Sequence, residues 1–291
     1  MQNLKKVIIP LAGLGTRMLP ATKTIPKEIL PLAGKPVIHY IVKEAIDSGF
    51  SEIIFVTHKK KDIVESYFDH NEYLESILEK KFQKSLLKEI KEISNLRGNI
   101  FSVVQKKPNG LGHAILCAKS LIDGNPFAII LPDMILDSNS KNNNLALMKK
   151  HFEKTGESSV LLGKAKKSEV QNYGIAKLKN KNNKNIFFDL DDIIEKPSPK
   201  NAPSNFFVAG RYVFNNEIMK YLSRERPDSS GEIQLTGAIS NFIKDSRLTN
   251  GLLLDGDIYD CGNKLGYLIA NLAFSFKDRN IKREVLKFTK K

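Results

Sequence analysis

Tryptophan is absent from this chain of 291 residues, and only two cysteines occur, Cys117 and Cys261. They lie far apart, in no Cys-x-x-Cys or Cys/His spacing, which excludes a disulfide framework and a structural zinc site and leaves two small buried hydrophobes. No run approaches the roughly 18 consecutive apolar residues of a membrane helix, and Met1 leads straight into a strand-like segment without a signal-peptide pattern. The expected compartment is the cytoplasm, with no membrane as partner. Collagenous and disordered compositions are excluded too, because 41% hydrophobic and 27% charged residues are ordinary globular values. Internal repeats and long linkers are missing, so residues 1–291 read as one domain.

Basic charge, by contrast, is plentiful: 46 Lys and Arg against 32 Asp and Glu leave +14. Concentrated in a stripe, such an excess points to nucleic acid or an anionic membrane. Here the lysines are dispersed through acid-containing stretches such as 80–91 and beside asparagines at 142–144 and 180–185. That pattern favours a polyanionic small substrate such as a nucleoside triphosphate. A non-enzymatic nucleic-acid-binding module would also explain the charge, but no nucleic-acid motif accompanies it.

Residues 7–11 form a short apolar run bounded by turn residues, as in a strand buried on both faces. A glycine turn follows. Val37, Ile38, Ile41, Val42 and Ala45 then recur at helical spacing up to Gly49, and 53–56 is a second buried strand. This is the βαβ grammar of a parallel sheet. Residues 69–93 make one long amphipathic segment, with Leu74, Ile77, Leu78, Phe82, Leu86 and Ile90 on one face; it reads as a helical insertion packed on the sheet or on a partner subunit. Strands are expected at 101–104 and 127–131 around a helix at 114–121. Past Lys141, strands at 160–164, 174–178 and 206–214 are joined by polar turns, a partly antiparallel texture. Ser229 and Glu232 match a capping box opening a helix at 233–242, and a closing helix covers 264–276. The expected fold is α/β and Rossmann-like, with a mixed, mostly parallel central sheet flanked by helices.

Leu11, Ala12, Gly13, Leu14, Gly15, Thr16 and Arg17 follow the first strand, where an open parallel sheet binds ligands. Met18 stands where a dinucleotide fingerprint needs its third glycine, and the second strand ends in Val56-Thr57-His58 without an acidic residue, which disfavours a nicotinamide oxidoreductase. A P-loop is excluded because no Lys-Ser/Thr follows the last glycine. What remains is a turn whose amides can approach phosphates or a base edge, with Thr16 and Arg17 adding a hydroxyl and a cation. The Pro20 to Pro26 stretch cannot be regular helix. Folded back along the turn, it gathers Arg17, Lys23 and Lys27 around one polyphosphate, where a lysine neutralises charge on leaving pyrophosphate. By residue type alone it is equally a surface Pro/Lys loop.

Residues 12–23, with Ile25-Pro26-Lys27-Glu28, closely resemble the opening of the bacterial UTP:glucose-1-phosphate uridylyltransferases, of the sugar-1-phosphate nucleotidyltransferase superfamily. The resemblance continues in register to about residue 270 through Gly110-Leu111-Gly112-His113-Ala114, Leu131-Pro132-Asp133, Tyr173-Gly174-Ile175, Glu195-Lys196-Pro197, Gly210-Arg211-Tyr212, the Gly231 to Thr236 stretch and Asp260-Cys261-Gly262. It implies transfer of UMP from UTP to glucose 1-phosphate with Mg²⁺, by a dimer or tetramer. It divides the domain into a nucleotide-binding part at about 1–140 with the insertion at about 69–95, a sugar-binding part at about 141–270, and a helical tail at 271–291.

By the same resemblance Leu11, Ala12, Gly13, Gly15 and Thr16 hold the nucleotide, Gln105 and Gly110 read uracil, and Arg17 and Lys27 face the pyrophosphate. Asp133 and Asp260 hold the metal, with Asp255 and Asp257 near enough to leave the second ligand open. Glu195 accepts a sugar hydroxyl, Gly174 lets backbone close over the hexose, and Lys196, kept extended by Pro197, pairs with the sugar phosphate. Without the resemblance Gln105 is an exposed strand-end amide, Asp133 a cap, Gly174 a turn glycine and Glu195–Lys196 a solvated pair. His113 opens a helix at an anion-friendly N-terminus and reads as structural or as a support behind the groups that touch the ligand, since no orienting partner for a general base is nearby. Gly237 replaces an aspartate usual in the family, and Lys107 and Asn109 alter the loop before Gly110; these departures bear on sugar specificity and loop dynamics. A related transferase using dTTP or another nucleotide is the nearest rival.

Overall fold

The computed structural model describes residues 3–58, 62–138, 143–179, 186–245, 247 and 249–289; the polar run at 180–185 lies outside them. Strand β1 (Lys6–Pro10) leads through the glycine turn to helix α1 (Val37–Asp47) and strand β2 (Glu52–Thr57). Helix α1 ends where Gly49 takes φ +81° and its amide returns to the Ile46 carbonyl at 2.8 Å. Helices α2 (Glu72–Lys80) and α3 (Lys84–Ser94) precede β3 (Ile100–Val104), α4 (Leu111–Cys117), β4 (Phe127–Ile130) and β5 (Met134–Asp137). After α5 (Asn144–Thr155) come β6 (Ser158–Lys164), β7 (Gly174–Leu178), β8 (Phe187–Glu195) and β9 (Phe206–Phe214). Helix α6 (Leu235–Lys244), β10 (Thr249–Leu253), β11 (Asp257–Asp260), α7 (Lys264–Ser275) and α8 (Arg279–Phe288) complete the chain.

One nine-stranded sheet runs in the order β3-β2-β1-β4-β9-β6-β10-β8-β7. The first four strands are parallel throughout. Beyond β4 the texture is mainly antiparallel, with β6–β10 the one parallel pair. The sheet is therefore mixed, as expected, but among the described residues its five antiparallel pairs, counting the additional β9–β7 pairing, outnumber the four parallel ones. Along β1 the side chains alternate: Val7 and Ile9 join α1 and α5 in one core, while Ile8 joins α4 and α6 in the other. Helices thus cover both faces, which buries the near-continuous apolar runs of the parallel strands.

Two expectations fail locally. The 69–93 segment is not one helix: the chain reverses at Phe82, which takes φ +56°, and α2 and α3 form a hairpin buried only at Ile93 and Ser94. The reversal brings α3 back beside α1, with Lys35 Nζ 2.7 Å from Glu89. The Ser229/Glu232 capping box does not form either. Helix α6 starts at Leu235 without a side-chain cap, and the loop before it is organised by Asp228, which accepts from the amides of Ser230 and Glu232, the Ser230 hydroxyl and Gln234 Nε2. One carboxylate with four donors outcompetes a serine hydroxyl with one.

Arg211, on β9, is fully buried. Its guanidinium grips Glu44 of α1 bidentately, at 2.8 and 2.6 Å, and donates to the Met134 carbonyl at 2.8 Å. A buried charge is tolerated only when paired in this way. Glu44→Ala should therefore cost about 3–5 kcal/mol of stability, read by urea unfolding, and Glu44→Leu combined with Arg211→Met should recover most of it; a Glu44→Ala loss under 1 kcal/mol would refute this role.

Candidate active site

Strands β1 and β4 are parallel neighbours, but the chain leaves β1 toward β2 on one side and reaches β4 only after β3 on the far edge. Their carboxyl ends flank a topological switch point, where an open α/β sheet has its crevice. The crevice holds two pockets. One, of about 480 Å³, is lined by Ala12, Gly13, Thr16, Lys27, Gln105 and Gly110. The other, of about 200 Å³, is lined by Arg17, Tyr173, Gly174, Glu195, Tyr212, Thr236 and Asp260. Asp133, in the turn after β4, belongs to both.

The fold-back of the 20–27 stretch is real: Thr22 Oγ1 donates to the Gly15 carbonyl at 2.7 Å. It delivers Lys27 Nζ to 2.7 Å from Asp133 Oδ2, while Arg17 lies 3.9 Å from Asp133 and 3.7 Å from Asp260. Lys23 stays exposed and lines neither pocket. The Leu11 side chain lies wholly within the core and lines neither pocket, while its amide continues the β1–β2 ladder to the Val56 carbonyl at 2.7 Å.

Of the three candidate aspartates, the structure brings Asp260 to Asp133. Asp257 pairs with Asp137 in the β5–β11 ribbon, and the Asp255 amide is tied to Asn144. The Gly262 amide donates to Asp260 Oδ1 at 2.8 Å, and Cys261 N–H to the Asp133 carbonyl at 2.7 Å. A Cβ on Gly262 would stand 2.9 Å from Asp260 Oδ1 and 3.0 Å from Asp133 Oδ2, so the two carboxylates converge on one point that only glycine leaves open. Among the described residues no group of three or more His, Cys, Asp or Glu gathers in this way. Two carboxylate oxygens suit a hard divalent cation that takes its other ligands from phosphate and water.

Burial alone would lower the Lys27 pKa, but Asp133 and Glu28 outweigh it and hold the ammonium above its ordinary value. Burial would likewise raise Asp133, yet Lys27 and then Arg17 keep its carboxyl below the usual range. Burial pushes the Cys261 thiol up to about 12, which removes it as a thiolate nucleophile.

Gln105 is not an exposed strand-end amide; it is 3% exposed, and Nε2 donates to the Gly110 carbonyl at 3.1 Å and meets His113 Nδ1 at 2.9 Å. His113 therefore has a partner after all. Gly110, at φ +93°, lies so close to Glu232 and Ile233 that a Cβ would come within 2.8 Å of both. Asn109 and Gly112 exchange backbone hydrogen bonds with Ile233 at 2.8 Å, which clasps two distant motifs together.

In the second pocket Thr236 Oγ1 donates to Glu195 Oε2 at 2.6 Å beside Gly174. Lys196 is not extended: it takes φ +42°, since Glu195 is still paired to Gly174 and the chain must leave the sheet at the next residue, its amide bound to the Tyr173 carbonyl. Its exposed ammonium stays 3.6 Å from Glu195. At the Gly237 departure the Glu225 carboxylate fills the space a side chain there would need. Thr236, Tyr173 and the buried Tyr212 were quoted within motifs but given no role; none has a sequence signal beyond that membership.

Because Asp133 is more acidic folded than unfolded, its contribution is present above about pH 4 and lost as pH falls through the folded value. Lys27, raised above 10.5, contributes until pH exceeds that raised value. The stability difference between wild type and Asp133→Asn should thus be widest from about pH 5 to 10 and shrink below about pH 4. A urea-unfolding difference unchanged down to pH 2 would contradict the pairing.

The Nucleotidyl transferase family model matches residues 6–275. UTP--glucose-1-phosphate uridylyltransferase of Haemophilus ducreyi is 42% identical over 289 residues, 98% of either chain. A UTP-bound UGPase from Acinetobacter baumannii superposes with a TM-score of 0.90 at 38% identity, covering 98% of both chains. A UDP-glucose pyrophosphorylase complexed with UDP-glucose gives 0.85 at 36% identity, over 94% of this chain and 100% of that one. With a matching crevice, a family model spanning most of its length and relatives alike from end to end, this chain belongs to the nucleotidyl transferase family.

Proposed function

We propose that the protein transfers UMP from UTP to glucose 1-phosphate, forming UDP-glucose and pyrophosphate. The observation that carries this reading is the meeting of the two pockets at Asp133, with a buried amide at the end of one and the Thr236–Glu195 pair in the other. Relatives of the same fold are described as bound to UTP and to UDP-glucose.

The ionised sugar phosphate needs no side-chain nucleophile. Its oxygen attacks the α-phosphorus, the new P–O bond forms as the bond to the β-phosphate oxygen breaks, and pyrophosphate departs with that electron pair. The chain's work is positioning and charge stabilisation. Ala12, Gly13, Gly15 and Thr16 cradle the triphosphate, Gln105 and Gly110 take the base, and Arg17 and Lys27 offset charge on the leaving group. Glu195 accepts from a sugar hydroxyl, Gly174 leaves room for the hexose, and Lys196 aligns the incoming phosphate from the rim. Asp133 and Asp260 would hold Mg²⁺, which when bound supplies charge neutralisation at the α-phosphate.

The compartment in this reading is the cytoplasm, and no described helix is long and apolar enough to cross a membrane. Nucleic acid has no part in it. The exposed Leu265, Leu268 and Leu272 on α7 and the largely uncovered α2–α3 hairpin support assembly as a dimer or tetramer.

Pyrophosphate release with Mg²⁺ and glucose 1-phosphate, run in parallel with UTP, dTTP, ATP, GTP and CTP, should be strongest with UTP; release only with another nucleotide would overturn the base assignment, and none at all the reaction. Lys27→Met should fold and lose about 10²-fold or more in kcat. Near-normal turnover would remove Lys27 from the phosphate site.

A further inference from the structure

The amide of Gln105 can be oriented without ambiguity. A backbone carbonyl only accepts, so the terminal atom 3.1 Å from the Gly110 oxygen is the nitrogen, Nε2. That same nitrogen lies 2.9 Å from His113 Nδ1. Both amide hydrogens are then committed, and Nδ1 has to be the unprotonated ring nitrogen, with the proton on Nε2. The remaining polar atom, Oε1, has no partner among the described residues, and Gln105 lines the larger pocket.

Gln105 therefore offers the ligand an acceptor, not a donor. A pyrimidine with N3–H can donate to it; cytosine presents an unprotonated N3, which would face Oε1 lone pair to lone pair. A glutamine held on one side only could turn its amide over and serve either base. Turned here, Oε1 would face the Gly110 carbonyl lone pair to lone pair and, unless the imidazole moved its proton from Nε2 to Nδ1, would face His113 Nδ1 in the same way, while both hydrogens pointed away from them. Among the described residues the only polar side-chain atom besides Gln105 near the imidazole is Cys117 Sγ, one helical turn along α4 at 3.9 Å from Nδ1 and 4.0 Å from Nε2, a weak partner that leaves Nδ1 to the amide.

We infer that His113 is a positioning residue for base selection: its Nδ1 locks the Gln105 amide so that Oε1 accepts from N3–H, admitting uracil-type bases and rejecting cytosine. This rests on the proposed uridylyl transfer and deepens it. It also separates two selectivities, because thymine carries the same N3–H and passes this filter.

The test compares kcat/KM for UTP and for CTP, and KM for glucose 1-phosphate, in wild type, His113→Phe and His113→Asn. Phenylalanine keeps the ring and deletes the acceptor, whereas the asparagine Oδ1 can stand where Nδ1 stood. His113→Phe should raise KM for UTP, lower the UTP-to-CTP ratio of kcat/KM roughly tenfold, and leave KM for glucose 1-phosphate within twofold; His113→Asn should restore most of the ratio. If His113→Phe does not fold, His113→Leu is read the same way. A wild-type ratio in the Phe variant, or an equal fall in Phe and Asn, overturns the inference. Wild type with no preference for UTP would instead overturn the functional reading, so the two failures are distinguishable.

Discussion

The Arg211–Glu44 ion pair is the constraint from which the crevice follows. It joins β9, α1 and the turn after β4, and it does so from inside the protein, where an unpaired charge could not remain. The Met134 carbonyl that Arg211 also grips is the next residue after Asp133. The backbone beside that carboxylate is thus anchored by a contact made in the interior.

Around Asp133 the protein spends its charge before a ligand arrives. Lys27 is paired to it, and Arg17 spans it and Asp260. Lys27 and Arg17 keep the Asp133 carboxyl ionised in spite of its burial, and Asp133 does the same for the Lys27 ammonium. A polyanion entering here exchanges partners with groups already aligned, so little reorganisation accompanies binding, which is the condition under which fixed charges act most strongly on a reaction.

Much of this was legible beforehand where residue pattern and packing agree. Buried strands with unbroken apolar runs, and the punctuation of α1 by Gly49, were placed within a residue or two. Strand β8 was not: Phe187 to Glu195 carries three aspartates and a register shift between Leu190 and Asp192, so no period-two alternation marks it. The reversal at Phe82 was hidden because the apolar spacing continues through it. At the site, Arg17, Lys27, Asp133, Asp260, Gln105 and Glu195 meet as expected, since motif membership identified them. The extended backbone expected at Lys196 is not found, because conformation there is decided by the neighbouring strands. Thr236 meets a side-chain partner 41 residues away, and His113 one outside its own helix, eight residues back; local pattern cannot register such pairings.

The backbone clasp between 109–112 and Ile233 has a thermodynamic side. One of its strands of chain closes over the larger pocket, and the other runs within three residues into Thr236 of the smaller one. A pair of peptide hydrogen bonds ties one flank of this seam to the other, the contiguous contact through which any energetic coupling between the pockets would run. Linkage then demands symmetry: if occupancy of the first pocket tightens the second by some factor, occupancy of the second tightens the first by the same factor. The two pockets share this seam as well as a carboxylate.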